Sequence, residues 1–249
     1  MQSDATESSD DGEHIPIPRD LFYDGRDLIR DLPQIGLIAA GLGAVFTGAA
    51  LTLVCSTTNF VKLPLYVICL VVFHFLEFYI TAKYNPSRAS ADSFLLNNGV
   101  AYNVAHLVAF VEAIVEYKYG PQPPTCSRVM AGIGFGLVLM GQTVRSLAMV
   151  HAASNFSHTI VRKKHDDHQL VTTGVYSLSR HPSYFGFFYW ALGLQMFMLN
   201  PVSFLGFAIV LWRFFNDRIA DEESHLVAFF GDRYINYKRS TPTRIPYIP

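Results

Sequence analysis

Apolar and polar positions separate into long blocks along this chain. From Leu32 to Val61 no Asp, Glu, Lys or Arg occurs, and a spanning helix needs about 20 mainly apolar residues. Leu63–Ala82, with His74 and Glu77 inside it, is a second run. Phe94–Tyr117 contains His106, Glu112 and Glu116, and Val129–Ala152 contains Gln142 and Arg145. Ser183–Trp212 is again free of charge, but Asn200-Pro201 interrupts it. A helix seldom continues through such a pair, because proline lacks the amide hydrogen and restricts the residue before it. The pattern predicts an all-α integral membrane protein of about six transmembrane helices, the last two forming a tight helical hairpin over 183–216. Residues 1–31 read as a polar, acidic, disordered tail, and 32–249 as a single membrane-embedded domain.

Charge orients this arrangement. With six spans, the N-terminal tail, the 83–93 and 153–182 connections and the C-terminal tail share one side. That side holds 15 of the 19 Lys and Arg residues, against Lys62, Lys118 and Arg128 opposite and Arg145 within a run. Basic residues collect on the cytoplasmic side, so the polar segments after residue 150 are expected to face the cytosol. The sequon Asn155-Phe-Ser157 is then on the wrong side for glycosylation. Only 16% of residues are charged and 51% are hydrophobic, against about 25% charged in ordinary soluble domains. The net charge of −1 and the lack of a basic-aromatic repeat argue against a nucleic-acid partner. Cys55 and Cys69 sit in apolar runs and read as buried, reduced thiols. Gly41-Leu-Gly43 and Gly132-Ile-Gly134-Phe-Gly136 follow no strand, so they read as small residues that let membrane helices approach.

The chemistry-bearing residues gather after residue 150. Arg162–Val171 and Thr172–Tyr176 lead into Ser179-Arg-His-Pro, and Trp212–His225 and Phe229–Lys238 follow the hairpin. Because the hairpin returns the chain to the same side, both segments can converge on one cytosolic pocket. Phe215, Ile219, Leu226, Val227 and Phe230 keep a helical spacing between charges, which predicts an amphipathic helix there. His165 and His168 flank Asp166-Asp167, but no further ligand has diagnostic spacing for zinc. A connector without metal is the better reading. No serine has the strand–turn–helix setting of a hydrolase nucleophile.

Four stretches together carry a resemblance: NFSH at 155–158, HQLVTTGVYSLSRHPSYFGFFYWALG at 168–193, NPVSF at 200–204 and WRFFNDRIADEESHLVAFFGDRYINYK at 212–238. With ADSFLLNN at 91–98, they resemble the isoprenylcysteine carboxyl methyltransferases. The resemblance implies a multi-pass enzyme of the endoplasmic reticulum membrane. Such an enzyme uses S-adenosyl-L-methionine, releasing S-adenosyl-L-homocysteine, to methylate the C-terminal carboxylate of prenylated, processed CaaX proteins. Matched position by position, the family's cofactor contacts fall on His168, Gln169, Leu170, Val171, Tyr176, His181, Pro182, Ser183, Tyr184 and Glu222. Its substrate-side arginine falls on Arg218, which the resemblance makes the catalytic and substrate-binding residue. Animal members commonly have eight spans, so the six-span reading lacks the first two. A shorter pattern, RHPxYxG with a later EE, FG and Y, is shared with phospholipid methyltransferases and membrane sterol reductases. A phosphatidylethanolamine N-methyltransferase and an NADPH-dependent sterol reductase are therefore the alternatives, and a non-enzymatic scaffold is a third.

The residues themselves suit the first reading. A carboxylate acceptor is already ionised at neutral pH, so no general base is required. Arg218 offers a charge-assisted fork for it, although Arg218 and Glu222 at i,i+4 also fit a plain surface ion pair. Charges within spans usually face a partner or a cavity, which predicts that Arg145 pairs with a glutamate of the third run. The aromatic stretch Phe185–Phe197 reads as lipid-facing, with one face available to a prenyl channel.

Overall fold

The apolar runs fold as helices in a computed structural model, which describes residues 28–55, 61–120, 126–164 and 168–249. Most of the expected tail, and His165-Asp166-Asp167 of the connector, lie outside those residues. The helices are α1 (Leu28–Cys55), α2 (Lys62–Tyr84), α3 (Val100–Tyr119), α4 (Cys126–Ala152), α5 (Pro182–Met198), α6 (Pro201–Phe230) and α7 (Asp232–Ser240). No strand occurs among the described residues. Four segments, Asp31–Cys55, Lys62–Tyr84, Val100–Tyr119 and Ser127–Asn155, are long and apolar enough to cross a membrane. α5 has 17 residues, about 25 Å of helix against a hydrocarbon core of about 30 Å. The charge-free part of α6 stops at Trp212. These two helices therefore stand apart from the four.

α5 and α6 make the expected hairpin, but α6 does not stop at residue 216. It runs on through the amphipathic 217–230 stretch as one helix of 30 residues. At the turn, Leu199 takes φ 65° and Pro201 opens α6. Asn200 Nδ2 donates to the Ala109 carbonyl of α3 at 2.9 Å. The Glu112 carboxylate accepts from the backbone amides of Val202 and Ser203, at 2.8 Å each. A helix start leaves such amides unpaired and favours negative charge beside them. The third-run glutamate that seemed available to Arg145 thus serves α6 instead. Arg145 pairs with Glu77 of α2, because α4 packs between α2 and α5 while α3 packs against α6.

α5 is an interior helix, which corrects the lipid-facing reading of its aromatic stretch. Phe188, Trp190, Leu194 and Phe197 are all buried, as expected of a helix that is apolar all round. α4 reaches it through glycine. A Cβ on Gly141 would lie 2.5 Å from the Gly186 carbonyl oxygen, and one on Gly134 would lie 2.4 Å from the Phe197 amide nitrogen. Gly41, Gly43, Gly132 and Gly136 face open space, so Gly134 alone of the two glycine patterns works as expected. α1 rests on α2 and the 91–94 turn through Ile35, Ile38, Phe78 and Phe94, and its Cys55 is exposed rather than buried.

The segment after α7 braces the start of α5. Ser179 Oγ donates to the Thr243 carbonyl at 2.8 Å, and the Arg180 amide to that of Pro242 at 3.2 Å. Trp212 Nε1 donates to the Pro246 carbonyl at 2.9 Å, and Ile245 and Ile248 join the main apolar core. The SRHP segment, the polar half of α6, α7 and the 153–181 connector are thereby gathered at one end of the bundle.

Candidate functional site

Two cavities lie side by side at that end. The first is lined by His168, Gln169, Leu170, Val171, Tyr176, His181, Pro182, Ser183, Tyr184 and Glu222. Those are all ten positions that the resemblance marks as cofactor contacts. They come from the connector, the start of α5 and the polar half of α6, and the hairpin brings them together. Asn155, Leu226, Phe229, Phe230, Tyr234 and Tyr237 complete much of the wall. The second cavity, the roomier of the two, is largely apolar, with Phe187, Phe207, Val210, Leu211, Phe214 and Phe215 among its lining residues. Arg145 and Arg218 face this second cavity, and its lining contains no carboxylate. Phe156, Ser157, Ser183 and Tyr184 belong to both linings.

Tyr184 stands at the junction. Its hydroxyl donates to Glu222 Oε2 and accepts from Arg218 Nε at 2.8 Å. The alternative of a plain i,i+4 ion pair between Arg218 and Glu222 is not what forms: a phenol oxygen stands between them. Arg218 Nη2 also donates to the His158 carbonyl at 2.6 Å. The Tyr184 ring stacks on His181 at 5.5 Å and on Phe215 at 5.1 Å. On the wall of the first cavity, burial pushes the Tyr176 phenol well up, with Glu222 adding to the effect, so it is a hydroxyl at neutral pH.

Glu223, which the positional match passes over, holds this wall in shape. It is 5% exposed and accepts from Arg180 Nε, from His181 Nε2 at 3.1 Å and from Lys238 Nζ at 2.5 Å. Burial alone would raise its carboxyl, but the hydrogen bonds from His181, Lys238 and Arg180 outweigh it and hold the group well below the usual carboxylate range. His181 therefore has one ring nitrogen committed to Glu223. Asn155 Oδ1 accepts from the Gln169 amide at 2.7 Å and fixes the 168–171 stretch. Gly174 has φ +61°, and a Cβ there would lie 2.4 Å from His151 Nδ1, the atom that accepts from the Val175 amide. Glycine is required at that turn. The signal for Glu223 and Arg180 was present in the sequence, as adjacent charges on segments read as converging, but only packing separates the buried Glu223 from the half-buried Glu222.

Beneath both cavities lies a third polar group. Arg145 gives Nε to Glu77 Oε1 at 2.5 Å and Nη2 to Glu77 Oε2 at 2.8 Å, and Nη1 reaches Ser183 Oγ at 3.0 Å. Its guanidinium lies 5.3 Å from the ring centres of Phe73 and Phe187. His158 Nε2 donates to Glu77 Oε2 at 2.9 Å. The site thus combines a cavity of mixed polar and apolar lining with a more apolar one whose charged lining residues are cationic. Among the described residues, no group of three or more His, Cys, Asp or Glu is placed to hold a metal ion.

Comparison with known proteins agrees with this geometry. The family model of the isoprenylcysteine carboxyl methyltransferases matches residues 133–228. The protein-S-isoprenylcysteine O-methyltransferase of Saccharomyces cerevisiae is 49% identical over 195 residues, covering 76% of this chain and 82% of the relative. Its counterpart in Homo sapiens is 40% identical over 215 residues, covering 86% and 75%. The solved structure of the eukaryotic intramembrane Ras methyltransferase superposes with a TM-score of 0.78 at 35% identity, covering 85% of this chain and 75% of that one. On this sequence and structural similarity, the chain is a multi-pass membrane methyltransferase and belongs to the isoprenylcysteine carboxyl methyltransferase family.

Proposed function

We propose that the chain transfers a methyl group from S-adenosylmethionine to the C-terminal carboxylate of an isoprenylcysteine on processed CaaX proteins. The observation that carries this is the pair of cavities meeting at Tyr184. One is the more polar and holds the ten matched positions, and the other is largely apolar, with two arginines and, among the described residues, no carboxylate in its lining. A prenyl chain suits the second cavity, and its terminal carboxylate suits Arg218. An amine acceptor would meet guanidinium groups where it needs an anion.

The first cavity fits the donor. Its lining mixes hydrogen-bonding groups from His168, Gln169, Tyr176 and Glu222 with ring faces from Phe229 and Phe230, as a ligand with both charged and aromatic parts requires. Glu222 can accept from an ammonium or a ribose diol, and the backbone of 168–171 can pair with an adenine edge. Phe229, Phe230 and Tyr176 offer ring faces. When bound, the donor supplies an electrophilic methyl group. The acceptor carboxylate has an unperturbed pKa of about 3.3–3.7, so it is ionised at neutral pH and no residue need remove a proton. What the chain contributes is alignment and exclusion of water. Arg218, itself held by Tyr184 and the His158 carbonyl, would grip one carboxylate oxygen and leave the other to attack. Tyr184, bonded to both Glu222 and Arg218, would set the spacing between the two substrates.

The reading places the enzyme in the endoplasmic reticulum membrane, with α5 and α6 as a short fifth and sixth crossing and the first cavity open to the cytosol. The deciding experiment incubates the purified protein with labelled S-adenosylmethionine and either N-acetyl farnesylcysteine or phosphatidylethanolamine. Base-labile label on the farnesylcysteine is expected. Label on the phospholipid alone would overturn the proposal.

A further inference from the structure

Arg218 is anchored at two points of unequal firmness. Tyr184 sits in the first turn of α5, on a helix packed against α4. His158 sits in the connector after α4, where the backbone has left helical structure. A carbonyl there is only as well placed as the bonds that hold its segment. The bond from the His158 side chain is to Glu77, a residue of α2 that is 1% exposed and lies outside the 133–228 stretch of the family model. The Glu77 carboxylate accepts from Arg145 Nε, Arg145 Nη2 and His158 Nε2 at 2.5, 2.8 and 2.9 Å. A carboxylate only accepts, so His158 presents a protonated Nε2 to it. α2 adds a second tie through Asn85 Nδ2, which donates to the Phe156 carbonyl at 2.9 Å. From Glu77 the path is continuous: carboxylate to imidazole, imidazole to its own backbone, and the His158 carbonyl to Arg218 Nη2 at 2.6 Å.

We propose that Glu77 and His158 are positioning residues for the acceptor, acting through Arg218. Glu77 fixes the imidazole against the bundle, the fixed connector presents its carbonyl, and the carbonyl sets the second point of the guanidinium. The inference rests on the assignment of Arg218 to the acceptor carboxylate. The donor cavity should be little affected, because its wall is held by separate bonds, from Glu223 to Arg180 and His181 and from Asn155 to Gln169. Arg145 keeps its pairing with Glu77 when His158 alone is changed, so the buried ion pair is not opened.

The test uses the full chain with N-acetyl farnesylcysteine as acceptor and S-adenosylhomocysteine as donor-site probe. His158→Leu, which fills the space without a donor, is expected to raise the acceptor KM about tenfold, the scale of one hydrogen bond to a charged group. S-adenosylhomocysteine affinity should not change. His158→Gln, whose amide can reach the same carboxylate, should restore most of the loss. Adding His158→Leu to Arg218→Ala should produce no further loss, because the path ends at the arginine. Additive losses, an unmoved acceptor KM in His158→Leu, failure of glutamine to rescue, or an equal fall in donor-site affinity would each overturn the inference. If Arg218→Ala by itself leaves acceptor kinetics intact, the assignment of Arg218 fails as well. If it is impaired while His158→Leu is silent or additive, only the positioning role fails.

Discussion

Successive residues on an α-helix point about 100° apart, and Glu222 and Glu223 divide their roles by that angle. Glu222 faces the polar cavity and the Tyr184 hydroxyl, whereas Glu223 turns inward to Arg180, His181 and Lys238. Because the folded state depresses the Glu223 carboxyl, its contribution to stability is fully present above the unfolded value of about 4.3 and is lost as pH falls toward the folded value. The melting temperature in detergent should therefore drop as the solution is acidified below about pH 5. Glu223→Gln should lower it at neutral pH and make the acid limb shallower by about one proton. Parallel acid limbs would show that the carboxylate does not carry this dependence. Arg218 makes a different claim. Arg218→Ala should reduce kcat/KM for the prenylcysteine acid about 100-fold, the scale of a charge-assisted two-point grip, while isothermal titration with S-adenosylhomocysteine stays unchanged. Arg218→Lys should recover only part, since an ammonium keeps the charge without the planar fork. A matching loss of donor binding in Arg218→Ala would mean that the arginine acts through Tyr184 and Glu222 to shape the donor cavity.

At the level of elements, the hairpin depends on a residue from another helix. α6 begins at Pro201 with no side-chain cap of its own, and Glu112 of α3 supplies the missing acceptor to two of its first amides. Glu112→Ala should destabilise the protein by about 1–2 kcal/mol, the worth of an N-terminal cap combined with a charge near the helix dipole. A lowered melting temperature with unaltered S-adenosylhomocysteine affinity is expected, since Glu112, Val202 and Ser203 lie outside the lining of the first cavity. The α4–α5 seam sets a stricter limit. A side chain at Gly141 would meet the Gly186 carbonyl and the Trp190 backbone, and backbone cannot step aside as a flexible side chain can. Gly141→Val should therefore cost several kcal/mol, above the usual 1–3 kcal/mol for overpacking, and should appear as failure to extract a monodisperse protein. Gly136→Val, which faces open space, is the control and should extract normally.

For the whole molecule, the distribution of 15 of the 19 basic residues and the positive-inside rule predict six crossings with both termini cytosolic. Cysteines introduced at Ser8 and Ser240 should both react with an impermeant reagent in sealed microsomes, and protection of either one would overturn that count. Element existence was legible because burial in lipid demands long apolar runs and satisfied backbone, and those runs appear directly in the order of residues. The hairpin was legible for the same reason, from Asn200-Pro201 and the missing amide hydrogen. The ten positions that the resemblance marks as cofactor contacts share one cavity because the hairpin returns α6 beside the start of α5. Partner choice was not legible. Glu112 and Glu77 are both carboxylates within apolar runs, and which one meets Arg145 depends on α4 packing beside α2 rather than α3. Likewise Gly41 and Gly134 look alike in sequence, and only Gly134 lies where another backbone passes within 3 Å of a Cβ. Sequence by itself determined the long helices, their punctuation and the end of the bundle at which the polar residues gather, because these follow from local hydrophobicity and backbone chemistry. Tertiary structure alone decided which charges pair, which glycines are contacts and that Tyr184 separates Glu222 from Arg218, because those depend on distances between helices that no local pattern encodes.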